Sequence, residues 1–314
     1  IQDVSITRGI VEIDETFAKS TKVEYEGNTY GLINLPKFYI EFKDAQQRNA
    51  ASDIKLEIER LKTENIQGLV LDLRNNGGGS LQTVVDIAGL FIKTGPVVQV
   101  KSSNRKTEVL RDRDRSILWD GPLVILVNEL SASASEILAA AMQDYKRGIV
   151  IGSKQTYGKG TVQNIIDLNR MVKNSSGGDV GALKYTHSKF YRINGGSTQL
   201  EGVKSDVVVP DRYSYVDVGE KDQINPLPWD KIDPVSYDLW YSNTFDKAIA
   251  MSKLRMEKNA QLKLIDDNAK WLKEIRDDNM YHLNFEAYKS FVWKDLVGNY
   301  RPERIQKYMV IYEY

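Results

Sequence analysis

The chain has 314 residues, 41% hydrophobic and 27% charged, an ordinary globular composition that can bury a sizeable core. Its 43 Lys and Arg balance 43 Asp and Glu, so no net field draws nucleic acid or an anionic membrane. The absence of cysteine excludes disulfides, a thiolate nucleophile and Cys-liganded metals, and two histidines, His187 and His282, are too few for most His-based metal sites.

Taken from the start, Val4 to Thr7, Gly9 to Ile13, Thr29 to Ile33 and the stretch from Leu35 to Phe42 predict extended chain. From about Ser52 the apolar residues Ile54, Ile58 and Leu61 recur at spacings of four and three, which predicts a helix ending before Ile66. Leu69 to Leu73 is an apolar run typical of a buried parallel strand, and Arg74-Asn-Asn-Gly-Gly-Gly79 turns from it into a second helix beginning at Ser80. A strand at Val97 to Val100, another at Leu123 to Val127, a helix from Ser133 to about Tyr145 and a strand at Gly148 to Gly152 continue the alternation. This pattern predicts an α/β core with parallel or mixed pairing. Between these elements, Arg105 to Arg115 mixes both signs of charge and reads as a solvated loop or an edge hairpin. Extended chain returns at Thr161 to Leu168 and at Lys184 to Ile193. After Pro210 the character changes. Asn225-Pro-Leu-Pro-Trp-Asp230 is a proline-punctuated connector, and Phe245 to Asp278 carries Ile249, Leu254, Leu262, Ile265, Ala269, Leu272 and Ile275 at helical spacing. No run approaches the ~20 apolar residues of a membrane span, and no charged-then-apolar leader opens the chain, so it reads as soluble as given.

Two short stretches carry chemistry. Ser131, Ser133 and Ser135 alternate between the strand-like run ending at Val127 and the helix-like run from Ile137, which places a hydroxyl where a strand becomes a helix. A serine hydroxyl is a poor nucleophile until a neighbour takes its proton, and histidine is nearly absent here; His187 lies in an alternating stretch and reads as a strand histidine. Lysine can replace histidine only where burial lowers its pKa. Lys159, between Gly158 and Gly160 at the end of a loop leaving an apolar strand, has such a setting. The same loop superficially resembles a phosphate-binding loop, but five residues separate Gly152 from Gly158 where four are needed, and Gly160 stands where Ser or Thr should bind magnesium. Gly77-Gly-Gly79 forms either an anion nest for an oxyanion or simply a tight strand-to-helix turn. Ser131 and Ser135 remain alternatives to Ser133, since serine also favours helix N-caps.

Leu71-Asp-Leu-Arg-Asn-Asn-Gly-Gly-Gly79, Ser131-Ala-Ser-Ala-Ser-Glu-Ile137, Ala140-Ala-Met-Gln-Asp-Tyr145, Tyr157-Gly-Lys-Gly-Thr-Val-Gln163 and Phe190-Tyr-Arg-Ile-Asn-Gly-Gly-Ser-Thr-Gln199 follow one another in that order. Together they resemble the carboxy-terminal processing peptidases, most closely the tail-specific protease branch, from about Tyr30 to Asp211. Leu227-Pro-Trp-Asp-Lys-Ile-Asp233 and the helical tail resemble the C-terminal region of that branch. The resemblance implies an α/β core like those of ClpP and crotonase with an appended C-terminal α-helical domain. It also implies a serine endopeptidase acting in or near the C-terminal region of protein substrates, with Ser133 as nucleophile and Lys159, 26 positions later, as base. Ala134 and Gly79 would supply the oxyanion N–H groups, and Gln163 would orient the lysine amine. In a straight strand Lys159 and Gln163 lie ~13 Å apart, so the chain must bend near Gly160 for them to meet. Asp144, a proposed catalytic partner in the branch, lies ~16 Å from Ser133 along a continuous helix and reads as structural, capping the helix end.

The implied organisation is residues 1–29 as strands flanking a missing PDZ domain, 30–219 as the protease core and 220–314 as the helical domain. No metal or organic cofactor is implied. The implied partners are protein or peptide substrates, unfolded or with exposed C-termini, with no nucleic acid and with room for a membrane-associated adaptor; the implied location is the periplasm or cell envelope. A catalytically silent peptide- or ligand-binding module on the same scaffold is the rival reading, and a crotonase-like acyl-CoA enzyme would leave the serine and lysine unexplained.

Overall fold

The computed structural model describes residues 16–40, 48–103, 105–171, 178–240, 245–278, 280 and 283–290, so the strands expected at Val4 to Ile13, together with Phe42 and His282, lie outside the described residues. Its strands and α-helices follow in the order β1 (Lys19–Tyr25), β2 (Asn28–Asn34), α1 (Ala50–Thr63), β3 (Gly68–Asp72), α2 (Leu81–Gly89), β4 (Gly95–Ser102), β5 (Glu108–Asp112), β6 (Leu123–Val127), α3 (Ala134–Asp144), β7 (Ile149–Gly152), β8 (Thr161–Asp167), β9 (Ala182–Tyr191), β10 (Val207–Val208), α4 (Phe245–Glu257) and α5 (Ala260–Asp277). The chain divides into two compact units, residues 1–269 and 270–314, and the features described below lie in the first.

One sheet has the order β1-β2-β3-β6-β7-β10, in which β2, β3, β6, β7 and β10 run parallel and β1 closes the edge as an antiparallel hairpin with β2. The second sheet, β5-β4-β9-β8, is antiparallel, and the charge-dense stretch after Arg105 supplies its edge strand β5. The stretch from Leu35 is extended without being a strand; Phe38 forms a single parallel bridge with Gly79.

The helices begin where their side chains can close the first turn. Asn49 caps α1, its Oδ1 accepting from Ala51 N and Ser52 N at 3.0 Å each, and Ser80 caps α2 by accepting from Thr83 N at 3.2 Å. α3 is different in kind. Its residues from Ala134 to Met142 are all buried, and Ala139-Ala-Ala141 let neighbouring elements approach its backbone, so it is a core helix rather than an amphipathic surface one. It packs on α2 and touches both sheets, through β7 in one and β4 in the other. At its C-terminal end the buried Arg147 donates to Phe91 O at 2.8 Å and Trp119 O at 2.6 Å, with the Trp240 ring 4.6 Å from its guanidinium.

The connector does not leave the core at once. Residues 228–240 run along it: Lys189 Nζ donates to Pro228 O at 3.1 Å, Ile232 N to Gly195 O at 2.9 Å, Val235 N to Ile193 O at 3.0 Å and Trp240 N to Tyr145 O at 2.8 Å. α4 and α5 follow, and Tyr215 Oη donates to Asp266 Oδ1 at 2.7 Å to tie the first half of α5 back to the post-sheet segment. Among the described residues no helix is long and apolar enough to cross a membrane.

Candidate active site

The serine turn is built by side chains that give up their hydrogen-bonding groups to the backbone. After β6, Asn128 Oδ1 accepts from Asn75 N at 2.9 Å and Leu130 N at 3.1 Å, while its Nδ2 donates to Asn75 Oδ1 at 2.8 Å. Ser131 Oγ donates to Leu73 O at 2.8 Å and accepts from Asn128 N at 2.9 Å; Ser135 Oγ donates to Asn76 O at 2.8 Å. Both of these serines are fully buried. Ser133 is half-buried and stands at the N-cap position of α3, so of the three hydroxyls it is the one left at a surface.

Ser133 also has φ 59° and ψ −111°, a conformation L-residues rarely adopt. Such geometry costs on the order of 1–3 kcal/mol and persists only where the surroundings enforce it. Here the enforcement comes from two sides. Ala132 N donates to Asn76 O at 3.0 Å and Ser133 N to Glu136 Oε2 at 2.7 Å. The glycine turn fills the concave side: a Cβ on Gly78 would sit 2.8 Å from Ser133 Cβ and 3.1 Å from Ala134 N. Gly78 therefore lies directly against the serine turn, with its own N–H donated to Asn76 Oδ1 at 2.9 Å. Gly79 follows at φ 150°, so close to Phe38 that a Cβ would lie 2.1 Å from that residue's carbonyl oxygen. Ala134 is the first residue of α3, and its N–H has no intrahelical acceptor.

Lys159 sits in a loop whose backbone is fully committed. The amides of Gly158, Lys159 and Gly160 donate to Glu136 Oε1 at 2.7 Å, Glu136 Oε2 at 3.1 Å and Gln199 Oε1 at 2.8 Å. The three carbonyls accept from Leu200 N at 2.7 Å, Thr198 Oγ1 at 2.8 Å and Phe190 N at 3.0 Å. The side chain is half-buried, and its Nζ donates to Gln163 Oε1 at 3.3 Å. The chain thus bends at Gly160, and β8 carries a register irregularity between Val162 and Gln163. Burial pulls the Lys159 amine below the ordinary lysine range, and Lys184 adds to the effect; Glu220 and Glu136 oppose it.

Glu136 joins the two halves. It is wholly buried, accepts through Oε2 from both Ser133 N and Lys159 N, and accepts through Oε1 from Gly158 N and from Thr156 Oγ1 at 2.7 Å each. Burial lifts its carboxyl to about 7 against the pull of these donors. The sequence reading assigns Glu136 no role, although Ser133-x-x-Glu136 is a capping-box pattern that could have singled it out. Gln199, at the end of the Phe190 to Gln199 stretch, has no spacing in the sequence that points to a role.

Asp144 stands at the far end of α3. It does not cap the helix; it pairs with Arg192, which donates from Nη2 to Oδ1 at 2.6 Å and from Nε to Oδ2 at 3.1 Å, and it accepts from Asn194 Nδ2 at 2.8 Å. His187 lies in β9 with Nδ1 2.5 Å from Ser188 Oγ, a local strand contact.

The structure so brings Ser133, the glycine turn, Lys159 and Gln163 to one place. Residues 29–209 match the model of peptidase family S41, and residues 213–292 match that of the C-terminal domain of tail specific protease. The chain belongs to peptidase family S41. This S41 chain is 38% identical over 297 residues to the tail-specific protease of Haemophilus influenzae, an alignment covering 93% of the chain and 41% of that protein. It is 35% identical over 222 residues to the carboxy-terminal-processing protease of Bartonella bacilliformis, covering 69% and 46%. The chain spans less than half the length of these curated relatives. Among solved structures, the photosystem II D1 C-terminal processing protease aligns with a TM-score of 0.51 at 28% identity, over 65% of this chain and 50% of that one.

Proposed function

We propose that the chain is the catalytic part of a serine endopeptidase that cleaves protein substrates in or near their C-terminal region. The observation that carries this reading is the Glu136 carboxylate, one oxygen of which receives the backbone amides of both Ser133 and Lys159 and so fixes nucleophile and base against each other. In the reaction, neutral Lys159 Nζ takes the proton of Ser133 Oγ as the oxygen attacks the scissile carbonyl. The Ala134 and Gly79 amides receive the developing oxyanion, and the half-charge of the α3 N-terminus favours it. The lysine ammonium then gives its proton to the departing amine, leaving an acyl-enzyme. Water attacks the ester, Lys159 accepts its proton, and that proton returns to Ser133 as the new carboxyl terminus departs. Gln163 Oε1 holds the amine between these transfers. The steps call on no metal or organic cofactor.

β8 is the edge of its sheet and begins two residues after Lys159, which suits it to receive an extended substrate segment by strand addition. Residues 30–219 form the protease core in this reading, residues 1–29 flank a PDZ domain, and 220–314 form the helical domain. A cell-envelope location and an adaptor at the membrane fit the same reading. An unfolded, fluorescence-quenched polypeptide is the test substrate: Ser133→Ala and Lys159→Ala should each abolish cleavage, and unchanged cleavage in either would refute the dyad. A silent binding module would retain the polypeptide in all three forms without cutting it.

A further inference from the structure

We propose that Gln199 is a positioning residue for the Lys159 base, and that through it the connector leading to the helical region becomes part of the catalytic assembly. The inference rests on the Ser133–Lys159 reading.

Gln199 is 0% exposed, and a buried amide is costly unless its donors and acceptor are all used. They are used in a way that points in two directions. Oε1 accepts from Gly160 N at 2.8 Å, while Nε2 donates to Leu227 O at 3.0 Å and to Glu220 Oε1 at 3.2 Å. The orientation of the amide is dictated by these partners, because a backbone N–H can only donate and a backbone carbonyl can only accept. One end therefore grips the loop that carries the base; the other grips the connector.

The close approach is built into both sequences. A Cβ at Gly160 would lie 2.8 Å from Gln199 Cβ, Gln199 N and Ser197 Oγ, so only glycine lets the loop reach the amide. The neighbours of Gln199 hold the preceding two residues, Thr198 Oγ1 donating to Lys159 O and Leu200 N to Gly158 O. The connector reinforces the grip from outside: Glu220 N donates to Tyr157 O at 2.8 Å, and Gln223 Nε2 donates to the Tyr157 hydroxyl. Trp229 Nε1 donates to Ser197 O at 2.9 Å. Residues 219–229 are thus fastened to both sides of the Gly158-Lys159-Gly160 turn.

The charges facing the amine are Lys184 from β9, Glu136 from α3 and Glu220 from the connector. Burial and Lys184 favour the neutral amine; Glu220 and Glu136 favour the ammonium. The connector thereby acts on the base twice, by holding its loop rigid through Gln199 and by setting a negative charge near it through Glu220.

Two variants of the 314-residue chain test this, each read by cleavage of the quenched polypeptide and by the rate at which a small alkyl fluorophosphonate labels Ser133, across pH. Gln199→Ala frees the Gly160 amide and lets water reach the amine: kcat and the labelling rate should fall roughly hundredfold with KM nearly unchanged, as displaced catalytic groups do. The acid limb of the profile should move to higher pH. Glu220→Gln keeps an acceptor for the Gln199 amide but removes the charge, so the acid limb should move to lower pH, opposite to its shift in Gln199→Ala. A purely structural role would lower the melting temperature and leave both limbs in place, and that result overturns the proposal. Should Gln199→Ala fail to fold, an unmoved acid limb in Glu220→Gln overturns it alone. Loss of activity in Lys159→Ala alongside unaltered profiles in both variants would sink this proposal and leave the dyad standing.

Discussion

Replacing Glu136 by alanine deprives four donors of their buried acceptor at once: the amides of Ser133, Gly158 and Lys159 and the Thr156 hydroxyl. A buried polar group left without a partner costs about 1–3 kcal/mol. Water entering the vacated space can satisfy some of the four, which places the expected loss at about 3–6 kcal/mol, a large part of the ~5–15 kcal/mol that holds a typical domain folded. The same donors position the proposed nucleophile and base, so function should suffer beyond the loss of stability. Urea unfolding followed by tryptophan fluorescence measures the first effect, and fluorophosphonate labelling of Ser133 in the absence of denaturant, on chain shown to be folded, measures the second. Both should fall together. A stability loss below about 1 kcal/mol with an undiminished labelling rate would refute the reasoning, since it would mean that the four hydrogen bonds neither hold the fold nor set the geometry.

Burial lifts the Glu136 carboxyl from 4.5 to about 7, so between those values the native chain keeps a proton that the unfolded chain has lost. This group's contribution to stability therefore declines by up to about 3 kcal/mol as pH rises across that interval. Activity should climb over the same interval, as the carboxylate that receives three amides accumulates; urea midpoints and labelling rates that rise together would contradict this. Arg192→Ala strands the nearly buried Asp144 carboxylate, with an expected cost of about 3–5 kcal/mol at neutral pH. Burial already raises that carboxyl, and losing the arginine raises it further, so the variant should recover part of its deficit in acid, where Asp144 is neutral. An equal deficit at both pH values, read by urea unfolding, would contradict it.

The parallel strands are legible in the sequence because burial on both faces demands unbroken apolar runs, as at Leu69 to Leu73 and Leu123 to Val127. β1 is not legible. Lys19-Ser-Thr-Lys-Val-Glu-Tyr25 is a solvent-facing edge strand held by pairing with β2, and a strand that buries little leaves no apolar signature. The stretch after Leu35 reads as a strand because its apolar residues line the core, yet Phe38 contributes only one bridge. At the site, Ser133 and Lys159 stand out because a hydroxyl ahead of an apolar helix and a lysine between glycines are chemically unusual. Glu136 and Gln199 do not. The capping-box spacing marks only the contact of Glu136 with Ser133; its contacts with Gly158 and Lys159, and that of Gln199 with Gly160, reach more than 20 positions along the chain and have no period to betray them. The strain at Ser133 is equally silent, since it is imposed by Asn76, Gly78 and Glu136 rather than by serine itself.

The saturated backbone of the Gly158-Lys159-Gly160 turn bears on the order of synthesis. The serine turn draws most of its hydrogen bonds from residues up to Glu136, with Tyr157 N alone reaching back to Ser131 O at 3.0 Å. The base loop has no such independence: its acceptors and donors include Phe190, Thr198, Gln199 and Leu200, and Gln199 is itself satisfied only by Glu220 and Leu227. Domains fold as units, so both halves of the site wait on the later residues. A chain cut short before residue 220 therefore lacks both Gln199 partners, Glu220 and Leu227, and with them the hold on the Gly160 amide.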